Sequence, residues 1–116
     1  LNYLMATQEA DGKWSQNMWL EGIPYWEGVQ MDQVALPVVL VQACFREKYL
    51  TGERLLQYWP IIKKSICFIL KHGPYTMQDR WEEEQGLTPF TLAAEIAALL
   101  AGAAFADLNN ENELAK

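Results

Sequence analysis

From Thr88-Pro89 to about Leu108 the chain is apolar on nearly every side, with Glu95 as the main exception. A Thr-Pro pair supplies an N-cap and a first helical position, so this stretch reads as a helix. A helix that is apolar all round needs neighbours all round. Two more stretches share the property in part. Gln33 to Tyr49 carries Val, Leu, Ala and Cys on almost every side, and Gly52 to Lys71 follows a plausible Thr51 cap. Four helices, counting a short one from Leu1 to Gln8, cannot surround one another completely. The sequence therefore predicts an all-α chain whose helices have partners elsewhere, cut out of a larger helical domain with no internal boundary across residues 1–116. Alternating β-branched runs are missing.

Helix ends are marked locally. Asp11-Gly12 supplies a residue that accepts positive φ after the first helix, Asp32 can cap the second, and His72-Gly73-Pro74 stops the third. Pro37 should bend the start of its helix and Pro60 should kink the next. Asn109 and Asn110 close the fourth. Between these helices lie two irregular segments, Lys13 to Met31 and Tyr75 to Leu87, which hold four of the five tryptophans: Trp14, Trp19, Trp26 and Trp81. Tryptophan is costly to leave in solvent, so loops that carry it beside carboxylates are expected to hold something flat and polar. Any single Trp is as readily core filler, and Trp59, inside the third helix, reads that way.

Composition excludes several functions. A net charge of −6, with no basic cluster beyond Lys63-Lys64, repels a phosphate backbone and argues against nucleic-acid binding. The longest apolar run, Ile96 to Ala106, is well short of the roughly 20 residues of a membrane span. Leu1 is neither an initiator Met nor part of a leader, which fits a chain cut from a longer one and leaves localisation open between secreted and cytoplasmic. Cys44 and Cys67 sit in apolar stretches as expected buried free thiols, and the lone His72 belongs near a helix end rather than in a zinc site. No metal or cofactor is called for, since proton transfer and water attack need none.

The sharpest chemical signal is Arg80-Trp81-Glu82-Glu83-Glu84, just ahead of the fourth helix. Three adjacent acids repel one another, and a neighbouring indole lowers the local dielectric; both effects raise a carboxyl pKa and suit a general acid. A solvated acidic turn favouring the following helix N-terminus explains the same residues.

The run Gly73-Pro74-Tyr75-Thr76-Met77-Gln78-Asp79-Arg80-Trp81-Glu82-Glu83, then Gly86-Leu87-Thr88-Pro89-Phe90-Thr91-Leu92-Ala93-Ala94-Glu95-Ile96-Ala97-Ala98-Leu99, closely resembles the RWEE…GxxPSTLAxEIAAL segment of glucoamylase-type glycoside hydrolases, family 15. Asp11-Gly12, Gln16-Asn17, Trp19, Gly22, Pro24-Tyr25-Trp26, Gly28, Gln30-Met31-Asp32, Ala35 and Pro37 are similar to the loop that precedes it in that family. The resemblance implies the middle part of an (α/α)6 barrel that removes glucose from the non-reducing ends of α-glucan oligosaccharides with inversion. It implies Glu82 as general acid and Glu83 as a ligand of a sugar hydroxyl, with Trp26 at the pocket edge and Trp81 in the same wall. Asp32 matches a family aspartate, with a sugar contact and simple capping as equal readings. An inverting enzyme needs a second carboxylate roughly 6.5–9.5 Å from the acid. The family places that base far downstream and the Trp-x-Arg-Asp grip on the terminal glucose upstream, so the chain alone is expected to be inactive. Its partners would be the rest of the catalytic domain or, in isolation, further copies of itself. Related specificities (glucodextranase, trehalase, isomaltose hydrolase), a non-catalytic sugar-binding relative and a helical interaction module are the alternatives. Gln33, Glu84-Gln85 and Phe90 depart from the family pattern; the first two could tune subsites, the third could only pack.

Overall fold

The structure, a computed structural model, describes residues 1–116. It is all-α, with α1 (Asn2–Thr7), α2 (Met31–Arg46), α3 (Gly52–His72) and α4 (Pro89–Leu108). The three long helices pack against one another, α2 lying on α4 and α3 touching both. A short link after α2 turns α3 back along it. The segment after α3 returns to the start of α2, where the Met31 N–H donates to the Thr76 hydroxyl at 3.1 Å. Helices α2 and α4 therefore begin at the same end of the molecule, and both long irregular segments lie there.

Small side chains set the spacing. The buried face of α4 is Thr91, Ala94, Glu95, Ala98, Ala101, Gly102, Phe105 and Ala106. At Gly102 a Cβ would stand 2.5 Å from Cγ2 of Ile66, so α3 and α4 are in contact at a point only glycine allows. Opposite faces remain uncovered: Leu36 and Leu40 on α2 and Ile96 and Leu100 on α4 are exposed, the outcome expected of helices that lack neighbours. Helix α4 has 20 residues and contains an 18-residue stretch of mean hydropathy 1.6, long and apolar enough to cross a membrane by length and composition alone. The uninterrupted apolar run from Ile96 is shorter than the helix because Glu95 breaks it. Here α4 is a core helix packed on α2 and α3.

Several local expectations change. Asp32 does not cap α2: the cap is Gln30, in extended conformation, and Asp32 lies inside the first turn, where its charge favours the positive end of the helix. The helix ends at Arg46 rather than Tyr49, because Lys48 takes a positive φ of 63° and the N–H groups of Tyr49 and Leu50 turn back to the Cys44 carbonyl. Pro37 and Pro60 both lie inside continuous helices. Pro60 is on an exposed face, where the Leu56 carbonyl freed by the missing N–H can meet water. Thr51 caps α3 through a 3.4 Å bond from the Arg54 N–H, and Thr88, although in the cap position of α4, spends its hydroxyl on Thr91 at 2.9 Å instead. Cys67 is exposed and only Cys44 is half-buried; both are free, and the Cys67 side of α3 faces solvent. Trp59 is core as expected, with its Nε1 donating to Glu111 at 2.9 Å. Trp14, however, belongs to the core as well, with its indole N–H on the Leu4 carbonyl.

Candidate active site

Asp79 builds the acidic loop. One of its carboxylate oxygens accepts from the backbone N–H groups of Trp81 (3.1 Å), Glu83 (3.0 Å) and Glu84 (3.4 Å), the pattern of an Asx turn extended by two residues. Backbone bonds close the same turn, from Glu82 N–H to the Asp79 carbonyl and from Asp79 N–H to the Glu84 carbonyl. Those N–H donors, Glu83 foremost, hold the Asp79 carboxyl below its ordinary pKa, so it stays charged and keeps accepting. Within this turn Glu82 adopts φ of 64°, a left-handed conformation that a residue with a Cβ takes only when its surroundings impose it.

The loop is fastened to its neighbour from below. Thr76, fully buried, donates to the Gln78 carbonyl at 2.6 Å while accepting from Met31 N–H. The Met77 N–H reaches the Val29 carbonyl at 3.0 Å, and Thr76 and Gly86 exchange two backbone bonds. Gln30 gives its side-chain amide to the Asp79 carbonyl at 2.6 Å and accepts in turn from the amide of Gln33. The first loop reaches across the top. Its root is a hairpin closed between Met18 and Pro24, and just before it Gln16 donates its amide to Oε1 of Glu82 at 2.5 Å.

Beside these contacts lies an open, solvent-facing cleft of about 330 Å³ lined by Trp26, Met77, Gln78 and Glu82 through Gln85. The structure thus brings Glu82, Glu83 and Trp26 together from two loops far apart in sequence. Trp26 is held by the absence of a side chain beneath it, since a Cβ on Gly28 would fall 1.8 Å from the indole. Two expected members stand elsewhere. Trp81 is 73% exposed and does not line the cleft; the Arg80 guanidinium lies 5.4 Å from its ring centroid and 4.7 Å from that of Phe90. Phe90 therefore packs, on a cation. Asp32 is buried behind the loops, with Oδ1 free of any hydrogen-bond partner. Burial pushes its carboxyl above the usual range, while backbone N–H groups at the helix start and the Arg80 charge oppose the rise. Asp32 is not among the residues that line the cleft. Glu82 is exposed, so the enclosed surroundings expected from the indole next to it are not formed by these residues alone.

Asp79, Gln30, Thr76 and Gln16 lie in the segments that match the family pattern, but the sequence assigns them no role. An Asp two residues before Trp81 carries the Asx-turn signal that could have found the first. The other three act over separations of 45 to 66 residues, which no local pattern reports.

Residues 9–116 match the family described as Glycosyl hydrolases family 15. The chain belongs to glycosyl hydrolase family 15. It is 38% identical over its whole length to a glucoamylase from Clostridium sp. (strain G0005), of which it covers 15%. It is 31% identical over 103 residues, 84% of its own length, to an uncharacterized glycosyl hydrolase of Methanocaldococcus jannaschii, covering 16% of that protein. Among solved structures it is similar to a bacterial glucoamylase complexed with acarbose, with a TM-score of 0.81 and 37% identity across 98% of this chain and 16% of that one. The chain thus spans about a sixth of the length of its family 15 relatives, and its four helices follow the helical barrel fold of glucoamylase.

Proposed function

We propose that these 116 residues are part of a single catalytic domain of an exo-acting α-glucosidase, and that they carry its general acid, Glu82. The observation that supports this most is the convergence of Glu82, Glu83 and Trp26 on one cleft, with Gln16 bonded to Glu82 from the opposite loop. In this reading Glu82 protonates the departing glycosidic oxygen. Glu83, adjacent in the same wall, accepts a hydrogen bond from a sugar hydroxyl, and Trp26 offers its indole to the apolar face of the ring. Water attacks from the far side, so the product inverts. The carboxylate that activates this water must face Glu82 across the sugar, a position Glu83 and Glu84 cannot take because they leave the same turn. That base, and the groups gripping the terminal glucose, come from other parts of the domain, which also cover the open faces of α2 and α4. The acarbose bound to the related bacterial glucoamylase favours an α-glucan oligosaccharide as the substrate class.

Glu82→Gln in the full-length protein tests the assignment. Turnover of maltooligosaccharides should fall about 10²–10⁴-fold, because the leaving oxygen loses its proton donor. Glucosyl fluoride, whose leaving group needs little protonation, should lose far less. Equal losses on both substrates would remove Glu82 from the acid role.

A further inference from the structure

A second cavity, of about 320 Å³, opens where the end of α3 meets the joined loops. Its interior is apolar, formed by Met31 and Phe68, both buried, with Val29 beside them. The His72 ring leans on Phe68 at a centroid distance of 4.4 Å, and Tyr75, half exposed, stands at the mouth. Asp11 and Lys13 complete the polar side. Met77 lines both this cavity and the catalytic cleft, so the two adjoin.

We infer that this cavity is a second carbohydrate site, taking one pyranose ring of an α-glucan outside the catalytic cleft; the inference rests on the glycosidase reading above. The lining selects the ligand. Aromatic and apolar surfaces match the C–H face of a sugar ring, whereas the phenol, imidazole, carboxylate and ammonium at the edge match its hydroxyls. Asp11 and Lys13 have opposite charges, which suits a neutral polyol better than an anion or a cation. Lys13 already pairs with Glu9, and its ammonium has further donors to give. The volume is at the small end of the roughly 300–1,000 Å³ range of small-molecule sites, enough for one ring and too little for a strand. Because Met77 is the shared wall, a glucan anchored here lies beside the cleft, and the site raises the local concentration of polymer ends without taking part in bond cleavage.

The test uses the full-length protein bearing Glu82→Gln, titrated with β-cyclodextrin, a cyclic α-glucan without the chain end that an exo-acting cleft requires. Binding in the mM range is expected. Tyr75→Ala, or His72→Gln, both at exposed positions, should weaken it by about tenfold or more. On the active background, Tyr75→Ala should leave the rate on maltotriose within about twofold and lower the rate on soluble starch severalfold. Absence of cyclodextrin binding, or equal binding to the Tyr75→Ala and His72→Gln variants, overturns the second site. An active-background protein that releases no glucose from maltotriose would instead overturn the glycosidase reading itself.

Discussion

Gly28 is where the geometry of the cleft can be perturbed with the least collateral change. Its φ lies outside the left-handed region, so alanine meets no backbone objection there; the obstacle is steric. The added Cβ would stand 1.8 Å from Cζ2, 2.1 Å from Cη2 and 2.3 Å from Cε2 of Trp26. Ordinary carbon contacts begin near 3.5 Å, so the indole must retreat by roughly 1.5–2 Å or leave its seat. Trp26 is half-buried, and losing about half of an indole's contact area costs on the order of 2–3 kcal/mol, offset by about 0.4–1 kcal/mol from the stiffer unfolded chain. Gly28→Ala in the full-length protein should therefore fold, with stability lowered by about 1–2 kcal/mol. Activity should suffer more than stability, because a displacement of about 1 Å in a positioning group can cost on the order of 100-fold in rate. The assay is kcat/KM for glucose release from maltotetraose, with denaturant unfolding alongside. Gly52→Ala is the control: nothing lies within 4 Å of its Cβ at the start of α3, so activity should hold and stability should not fall. A Gly28→Ala protein with kcat/KM within twofold of the parent would show that the Trp26 indole does not contribute to the proposed sugar pocket.

Asp79→Ala removes the acceptor of three N–H groups from an exposed turn, and should lower kcat about 10–100-fold while leaving the thermal midpoint nearly unchanged; a matching loss of stability would make Asp79 a fold residue instead. Glu95 is buried with Oε1 unpartnered, and burial raises its carboxyl pKa, so the native state keeps this proton to higher pH than an unfolded chain, which releases it near 4.5. The stability contributed by Glu95 is thus intact below about pH 4.5 and lost as pH rises through the native value. Glu95→Gln should accordingly be more stable than the parent at pH 7 and no more stable at pH 4, as read by urea unfolding at the two pH values.

What was legible in the sequence was local. Thr51 ahead of α3, Pro89 at the start of α4 and His72-Gly73-Pro74 at the end of α3 act within a turn of where they stand, and those three ends were placed to within a residue. The start of α2 was placed two residues late, because it is fixed by the Thr76 hydroxyl, which lies 45 residues away. Cys67 is expected to be buried because cysteine usually is, and Trp81 is expected in the pocket wall by resemblance, yet both are exposed here because no element of these 116 residues packs over them. Charge spacing alone left Glu82 undecided between a general acid and a solvated turn. The family pattern singled it out, and the contact with Gln16 supplies a physical reason to look there.

The departures from the family pattern gain meaning from the same contacts. Gln33 stands where an acid is common, and here it donates its amide to the side-chain oxygen of Gln30, leaving the Gln30 amide free to hold the Asp79 carbonyl. An ionised carboxylate at position 33 has no proton to donate, and would instead draw the Gln30 amide toward itself and away from Asp79. Asp79 is the residue whose carboxylate orders the turn carrying Glu82 and Glu83. A side chain on the first turn of α2 is in this way connected, through two hydrogen bonds, to the backbone that aims the proposed acid. The connection runs from helix to loop, so the rigid element sets the position of the strained one, as a site that must hold a left-handed glutamate requires.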